Sequence, residues 1–413
     1  MDTPHSKWPY RFSRRAKTVQ RSIMRELMPL TARPDIISFA GGLPAPDLFP
    51  VEDYQACLDT VLQREGRRAL QYGAPFGPLR EALIELMRIR GVSVSADELF
   101  ITNGAQQGLS IAGQLLLNAD SPVLIESMAF TGTIQMIRER AAMPLTLDTD
   151  LEGGLDVDGA EYLMKKVGQV RALIEVPDFH NPLGVSIACA NRGRLVHLAY
   201  RHRVPIVEDD PYGLLRYEGE ELPPLKALDV DGGVIYLGSF SKILAPGLRL
   251  GWVAASKPAL AKLTVIKEAQ DLESSQLTQR AVTEFISRGL MAAHLGRLKS
   301  AYRLRREAML AALERALGPL GARWSKPQGG IFVWVTLPES IDTFDLLPSA
   351  VQQERIAFIP GLAFSVDGRA WRNAMRLNFS LATVEQIDEG IARLARAVQR
   401  QMVHHQDTKT PRS

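Results

Sequence analysis

The residues best suited to chemistry follow the apolar run 234–237. Ser239, Ser241 and Lys242 come directly after it, and Arg249 lies seven residues beyond the lysine. An apolar run that ends in Gly-Ser is typical of a buried parallel strand that stops at a functional edge. Short hydroxyl donors and a guanidinium can hold a phosphate. A lysine near other cations loses its proton more easily and becomes nucleophilic. The alternative is a solvated lysine in a serine-rich loop.

The ordered Ser-x-Ser-Lys with its following arginine resembles the pyridoxal-phosphate lysine segment of the fold-type I aminotransferases. The resemblance implies that Lys242 binds pyridoxal 5'-phosphate as a Schiff base and later moves the substrate proton as general acid and base. It also implies that Ser239, Ser241 and Arg249 hold the cofactor phosphate.

A second apolar run, 204–207, leads to a carboxylate and a phenol. Asp209 lies about thirty residues before the Ser-x-Ser-Lys segment, and Tyr212 follows three residues later. A pyridoxal cofactor withdraws electrons only while its ring nitrogen stays protonated, which a buried carboxylate achieves. The family pattern assigns that role to Asp209 and the contact with the cofactor O3′ to Tyr212. The alternative is a plain strand-to-turn transition through Asp-Asp-Pro.

A third apolar stretch precedes Asn181, which stands directly before Pro182. The residue before a proline is restricted to extended conformations, so we expect the Asn181 amide to be free to donate to O3′. The resembling family usually has threonine where Leu183 stands, a position that we do not assign to the cofactor. An ordinary Asn-Pro turn is the alternative.

A fourth cluster, Gly104, Ala105 and Gln106, ends a short strand and precedes apolar residues at helical spacing. A helix that begins at Ala105 or Gln106 would direct its free N–H groups and its positive end at a phosphate. The resembling family usually has serine in place of Ala105, so one hydroxyl donor is missing here.

Two aromatic residues complete the cofactor surroundings that the resemblance implies. Phe130 matches the aromatic residue that stacks on the pyridine ring, although it would equally suit a core. Tyr72 matches a phenol that reaches the phosphate from the neighbouring subunit. That assignment implies a homodimer with shared active sites.

Substrate binding is assigned to both ends of the chain. Arg376 lies in an alternating, strand-like segment and matches the family's clamp for the substrate α-carboxylate. The segment 21–44 resembles the bacterial 2-aminoadipate aminotransferases of lysine biosynthesis and the kynurenine/aminoadipate aminotransferases. That likeness implies substrate contacts for Ser22, Arg25 and Gly42, and for Asn181. Because other arginines surround Arg25, it could also belong to a basic helix face.

The composition excludes several classes of partner. A net charge of +3 is too small to indicate nucleic acid or a membrane surface, and no run is apolar and long enough for a signal peptide or a bilayer span. No metal-binding motif occurs. The two cysteines give no disulfide framework, so we expect a reducing, cytoplasmic location and no metal.

The elements predict an α/β protein. Strand-like runs alternate with helical stretches from about 100 to 252, as in a mostly parallel sheet covered by helices. A long charged helix follows from about 290, then short strands near 330–335 and 375–379, and a closing helix near 384–402. The resemblance implies PLP-dependent transferase fold type I, with a seven-stranded sheet.

Four regions are predicted from these patterns. Residues 1–45 form an N-terminal arm that joins the small domain and covers the site, and residues 46–290 form the large PLP-binding domain. Residues 291–403 form a small α+β domain, and residues 404–413 form a polar, disordered tail.

The resulting hypothesis is a PLP-dependent aminotransferase. We expect it to move amino groups between an L-amino acid (2-aminoadipate, aromatic or branched-chain) and 2-oxoglutarate. A lyase, racemase or decarboxylase could use the same cofactor residues. A pyridoxal-binding transcription regulator is the third alternative, but only about forty residues precede the glycine pair at 41–42, too few for a DNA-binding module and linker.

Overall fold

The structure is a computed structural model that describes residues 35–409 and the isolated positions 11–13, 16, 23 and 33. Its helices are α1 (Val51–Glu65), α2 (Gly77–Ile89), α3 (Ala105–Leu116), α4 (Thr131–Arg140), α5 (Val157–Val167), α6 (Cys189–Arg201), α7 (Lys257–Asp271), α8 (Gln276–Ser287), α9 (Leu290–Ala316), α10 (Thr343–Ser349) and α11 (Val384–Lys409). Its strands are β1 (Ile37–Ser38), β2 (Leu99–Thr102), β3 (Pro122–Glu126), β4 (Met143–Leu147), β5 (Thr149–Asp150), β6 (Gly154–Leu155), β7 (Ala172–Glu175), β8 (Ile206–Asp210), β9 (Val234–Ser239), β10 (Gly251–Ala254), β11 (Arg323–Trp324), β12 (Phe332–Thr336), β13 (Ile356–Ala357), β14 (Ile359–Pro360) and β15 (Ala374–Asn378).

Seven strands form the central sheet, in the order β2-β10-β9-β8-β7-β3-β4. Strand β10 pairs antiparallel with both of its neighbours, and the other strands run parallel to one another. Strands β7, β8 and β9 are buried at every residue. Their burial on both faces explains why each of them begins with an apolar run in the sequence. The predicted mostly parallel, helix-covered sheet is confirmed.

The carboxyl edge of this sheet collects the polar segments that the sequence singled out. Parallel strands bring their carboxyl ends together, so the residues that follow β2, β7, β8 and β9 meet there. Apolar clusters on both faces of the sheet fix the positions of these strands.

A second sheet, β11-β12-β15-β14, is antiparallel and lies in the C-terminal part of the chain. The helices α9 and α11 pack against each other beside it. Strand β1 pairs with β13, with Ile37 opposite Ile356, so the early chain is joined to this part. The predicted region boundaries at 45, 290 and 403 stay predictions.

One of the two long C-terminal helices differs in length from the sequence prediction. Helix α9 begins at Leu290 and ends at Ala316, as expected. Helix α11 continues to Lys409 instead of ending near Met402, because no glycine or proline interrupts the chain before Pro411. Residues 404–409, which were predicted to belong to the tail, are therefore helical. Within the described residues, no helix is sufficiently long and apolar to cross a membrane.

Candidate active site

A cavity of about 570 Å³ opens at the carboxyl edge of the central sheet. It lies between this edge and residues of the N-terminal segment and of β15. Its lining residues are Gly41, Gly42, Leu43, Ala105, Gln106, Leu109, Phe130, Val176, Asn181, Asp209, Pro211, Tyr212, Ser239, Ser241, Lys242, Arg249 and Arg376. The cavity thus collects side chains from segments that are far apart in the sequence.

Lys242 follows β9 and projects its amine into this cavity. Its Nζ donates a hydrogen bond to the Gly42 carbonyl at 2.5 Å. Burial, and then the nearby cations Arg376 and Arg249, lower the pKa of Lys242 to about 8. The neutral amine, which is a nucleophile and a proton acceptor, is therefore more populated near neutral pH than in an ordinary lysine.

Asp209, near the end of β8, is 6% exposed, and nothing in the described part of the chain donates a hydrogen bond to its Oδ1. Burial, with a smaller contribution from Asp210, raises the pKa of Asp209 to about 7. A buried carboxyl oxygen without a partner costs free energy. It therefore favours a ligand that brings a hydrogen-bond donor, preferably a cationic one.

Arg376 reaches the cavity from β15 and is 1% exposed. Its Nη1 donates to Asn181 Oδ1 at 2.8 Å, and its Nη2 donates to the Ala40 carbonyl at 2.7 Å. The guanidinium lies over the rings of Phe332 and Phe364, at 4.2 and 4.8 Å from their centroids. Burial lowers the pKa of Arg376 to about 10.

Arg376 has only neutral partners, since no carboxylate of the described residues lies within ion-pair distance of it. A buried guanidinium in this situation is suited to bind a carboxylate from a ligand. Tyr212 also lines the cavity and is edge-on to Phe332. Burial raises the pKa of Tyr212 well above its ordinary value, so the phenol stays protonated and can donate a hydrogen bond.

One end of the cavity is rich in donors. The Ser239 hydroxyl accepts from the Ser241 backbone N–H at 3.1 Å, and Arg249 Nη2 donates to the Asn103 carbonyl at 3.0 Å. Arg249 packs closely on Gly104, where a Cβ would lie 2.9 Å from Nη2. This end has the short hydroxyls, guanidinium and backbone N–H groups that an anion requires.

Helix α3 begins at this same end, as predicted, with Gly104 as its N-cap at φ 87°. The first backbone bond to the cap carbonyl comes from Gln107. The N–H groups of Ala105 and Gln106 therefore precede the intrahelical ladder, and both residues line the cavity.

The segment Ala40–Leu43, which we call the strap, crosses the cavity. Each of its carbonyls accepts from a side chain: Ala40 from Arg376, Gly41 from Asn378, Gly42 from Lys242, and Leu43 from both Asn378 and Ser380. The strap closes one side of the cavity. Apart from the glycine pair, no local sequence pattern indicates these anchors.

One predicted residue, Tyr72, lies away from the cavity. Tyr72 is 77% exposed and lines a separate surface depression with Glu273 and Gln276, so no contact with the cavity forms within one chain. Ser22 and Arg25 lie outside the described residues. The other predicted residues line the cavity or, like Gly104, border it.

A buried ion network behind the cavity was not predicted. Asp178 pairs with Arg192, Arg216 and Arg90 at 2.7, 3.1 and 2.8 Å. Arg90 also pairs with Asp210 at 3.1 Å. Arg90 therefore ties the loop after β7, which carries Asn181, to the end of β8, which carries Asp209. The charges of the Asp178 loop were visible in the sequence, but no local pattern identifies their partners.

A second missed cluster joins His180 to Glu126. The imidazole Nε2 lies 2.5 Å from Glu126 Oε2, and Thr149 donates to the other oxygen at 2.5 Å. Burial raises the pKa of Glu126 to about 7 and lowers that of His180 to about 4. His180 precedes Asn181, so this cluster also supports the cavity wall.

The pattern of the family described as Aminotransferase class I and II matches residues 49–394. The chain is 40% identical over 411 residues to aromatic-amino-acid aminotransferase 1 of Thermococcus litoralis, with 97% of each chain covered. It is 38% identical over 396 residues to the 2-aminoadipate transaminase of Thermus thermophilus, covering 95% of this chain and 97% of the relative. The crystal structure of a multiple substrate aminotransferase from Thermococcus profundus has a TM-score of 0.91 and 39% identity, covering 96% of this chain and all of that one.

Proposed function

Because this chain belongs to the class I and II aminotransferase family, we propose that its cavity transfers the amino group of an L-amino acid to 2-oxoglutarate. The chain is a PLP-dependent transferase of fold type I. The observation that carries the more specific proposal is the buried Arg376 guanidinium, which faces the cavity with neutral partners only. All substrates of this reaction carry an α-carboxylate beside the reacting carbon, so one fixed cation serves both halves of the cycle.

Pyridoxal phosphate fits the groups that line the cavity. The unpartnered Oδ1 of Asp209 is suited to a protonated ring nitrogen. Ser239, Ser241, Arg249 and the start of α3 form an anion site, and Lys242 supplies an amine that is partly neutral. When bound, the cofactor withdraws electrons from the substrate carbon that carries the amino group.

The protein groups then have separate roles in the proposal. Lys242 would hold the cofactor through its amine, and the same amine, when free, would move a proton at the substrate Cα. Asp209 keeps the proton on the ring nitrogen. Tyr212 and Asn181 donate to the cofactor O3′, and Phe130 packs on the ring face.

Gly104, Ala105 and Gln106 complete the anion site at the start of α3. Their N–H groups and the positive end of the helix favour a phosphate at this position. Ala105 contributes its N–H but no hydroxyl, so this chain depends more on Arg249 and the two serines than a chain with serine there.

The proposed amino donors are 2-aminoadipate and aromatic or branched-chain amino acids. Support comes from the likeness to a 2-aminoadipate transaminase and to an aromatic-amino-acid aminotransferase. Gly42 is suited to a substrate contact, because a Cβ there would lie 3.8 Å from Arg376 Nη2 and 3.5 Å from Phe332 Cζ. Ser22 and Arg25 remain proposed substrate contacts, with Arg25 pairing with side-chain carboxylates.

We also propose a homodimer in which Tyr72 reaches the phosphate of the neighbouring subunit. The 77% exposure of Tyr72 and the nearby exposed side chains of Leu70 and Leu272 support such an interface. Both cysteines are unpaired, which is consistent with the proposed cytoplasmic location. A mixture of inactive Lys242→Ala and inactive Tyr72→Phe chains should regain activity if sites are shared.

The test of the function is an amino-donor screen with 2-oxoglutarate, in which glutamate formation is measured. Glutamate should appear with 2-aminoadipate and with aromatic or branched-chain donors. Arg25→Ala should raise KM for 2-aminoadipate more than for leucine or phenylalanine. Release of carbon dioxide or racemised donor without glutamate would overturn the proposal in favour of another pyridoxal reaction.

A further inference from the structure

Asp271, the last residue of α7, gathers three donors around one carboxylate. Lys267 Nζ donates to its Oδ1 at 2.8 Å, and Gln107 Nε2 donates to its Oδ2 at 2.5 Å. Asn103 Nδ2 also donates to Oδ2. The Asp271 side chain is 23% exposed and that of Lys267 is 6% exposed. Neither oxygen therefore depends on solvent for its hydrogen bonds.

Two of these donors belong to the turn at the phosphate end of the cavity. Asn103 directly precedes Gly104, and Gln107 lies in the first turn of α3. Gln107 Oε1 also accepts from the Asn103 backbone N–H at 2.8 Å, and the Asn103 carbonyl accepts from Arg249. Asn103 is thus held at its backbone N–H, its carbonyl and its side chain. Asp271 accepts from both Asn103 and Gln107 and so connects this turn to α7.

We propose that Asp271 is a positioning residue for the cofactor phosphate. By holding Asn103 and Gln107, it fixes the turn at Gly104, so that the N–H groups of Ala105 and Gln106 face the phosphate. The inference rests on the proposed function, because it takes this end of the cavity as the phosphate site. Asp271 need not touch the cofactor for this role.

The negative charge of Asp271 acts against phosphate binding, whereas its hydrogen bonds to the turn favour it. A carboxylate near a phosphate dianion repels it, and the ion pair with Lys267 reduces but does not abolish that repulsion. Removing the charge would therefore tighten phosphate binding if electrostatics alone mattered. Losing the position of the turn would weaken binding instead. The two effects have opposite signs, so one measurement separates them.

The experiment compares pyridoxal phosphate with pyridoxal, which lacks the phosphate. The apoproteins of wild type and Asp271→Asn are titrated with each ligand, and Kd is measured by absorbance or protein fluorescence. Asparagine keeps the size of the side chain but turns one acceptor into a donor that faces Asn103 and Gln107. We expect Kd for pyridoxal phosphate to rise about tenfold and Kd for pyridoxal to stay at the wild-type value.

Two further variants serve as a negative and a positive control. Glu268→Gln makes the same charge change on an exposed position of α7, and it should leave both constants unchanged. Arg249→Ala removes a proposed phosphate ligand, and it should weaken pyridoxal phosphate selectively. If Asp271→Asn does not fold, Asn103→Ala should give the same selective loss.

The outcomes are distinct. Unchanged or tighter binding of pyridoxal phosphate by Asp271→Asn, together with a loss in Arg249→Ala, would overturn the role of Asp271 alone. An equal loss for both ligands would also overturn it, since a role through the phosphate cannot weaken pyridoxal. If Arg249→Ala binds pyridoxal phosphate as wild type does, the phosphate site itself is wrong and both proposals fail.

Discussion

The molecule buries two neighbouring groups of charged side chains. The side chains of one group form ion pairs with each other, and those of the other group do not. Around Asp178, every charge faces an opposite one, with Arg90, Arg192 and Arg216 at ion-pair distance. In the cavity, Lys242 and Arg376 have no ion pair with any carboxylate of the described residues. A buried charge costs free energy unless an opposite charge offsets it. The paired group therefore stabilises the fold, and the unpaired group is suited to bind a ligand of opposite charge.

The two groups are physically joined. Asp178 lies three residues before Asn181, and Asp210 directly follows Asp209. Since Arg90 holds both Asp178 and Asp210, the paired charges fix the loops that present the unpaired ones. Stability and activity should therefore respond differently to changes in each group.

The largest effect is expected for Lys242→Ala. Turnover should fall below detection, because proton transfer alone contributes about 10²–10⁴-fold and the covalent attachment of the cofactor is lost as well. The urea midpoint should stay close to that of wild type, because an amine without a counter-ion is removed. Steady-state kinetics and urea unfolding measure the two quantities.

A paired lysine provides the matched control. Lys226 Nζ lies 2.8 Å from Asp229 Oδ2, and both side chains are buried. Lys226→Ala should lower the urea midpoint and retain kcat. Substantial transamination by Lys242→Ala would contradict this difference between unpaired and paired lysines. The same changes of kcat and urea midpoint in both variants would contradict it as well.

The second effect concerns the paired group. Arg90→Met should lower the free energy of unfolding by about 3–5 kcal/mol, because Asp178 loses one partner and Asp210 its arginine. Arg88→Met is the control, since Arg88 forms an exposed pair with Glu85 and should change stability by less than about 1 kcal/mol. Equal urea midpoints for the two variants would refute the structural role of the network.

The third effect concerns carboxylate binding. Arg376→Met should lower kcat/KM for amino acids by roughly ten- to a hundredfold, as expected for the loss of about 1.5–3 kcal/mol from a charged hydrogen bond. An amine substrate without a carboxylate should react equally well with variant and wild type. A similar decrease for that amine would show that Arg376 acts by shaping the cavity.

The smallest effect is a pH shift. The rate at which the apoprotein attaches pyridoxal phosphate should rise with pH, with a midpoint near the Lys242 pKa of about 8, because only the neutral amine attacks a carbonyl. Arg376→Met removes a neighbouring positive charge and should move the midpoint upward, by less than about one unit. Stopped-flow absorbance at several pH values measures it, and a downward shift would contradict this electrostatic coupling.

Much of the cavity could be predicted from local sequence. Lys242 and Asp209 follow apolar runs, and parallel strands necessarily bring such positions to one edge. The contacts that hold them could not be predicted in this way. Arg90 and Asp178 are 88 residues apart, and tertiary packing alone decides that they pair.

Three other predictions concern features that local sequence does not determine: the role of Tyr72, the end of α11 and the contacts of the N-terminal segment. Tyr72 follows a short 3₁₀ turn at Gly66–Leu70 and is exposed, and its proposed partner belongs to a second copy of the chain. The length of α11 was underestimated, because a polar composition says little about where a helix ends. The contacts of Ser22 and Arg25 stay predictions.

The strap also has a consequence for the order of events during synthesis. Its Ala40 carbonyl is bonded by Arg376, 336 residues later, and its Gly41 carbonyl by Asn378, 337 residues later. A ribosome therefore makes the strap long before it makes these anchors. The central sheet can form in between, but the cavity stays open on the strap side until β15 has emerged. The strap therefore gains these anchors only after β15 has been translated, later than the central sheet can form.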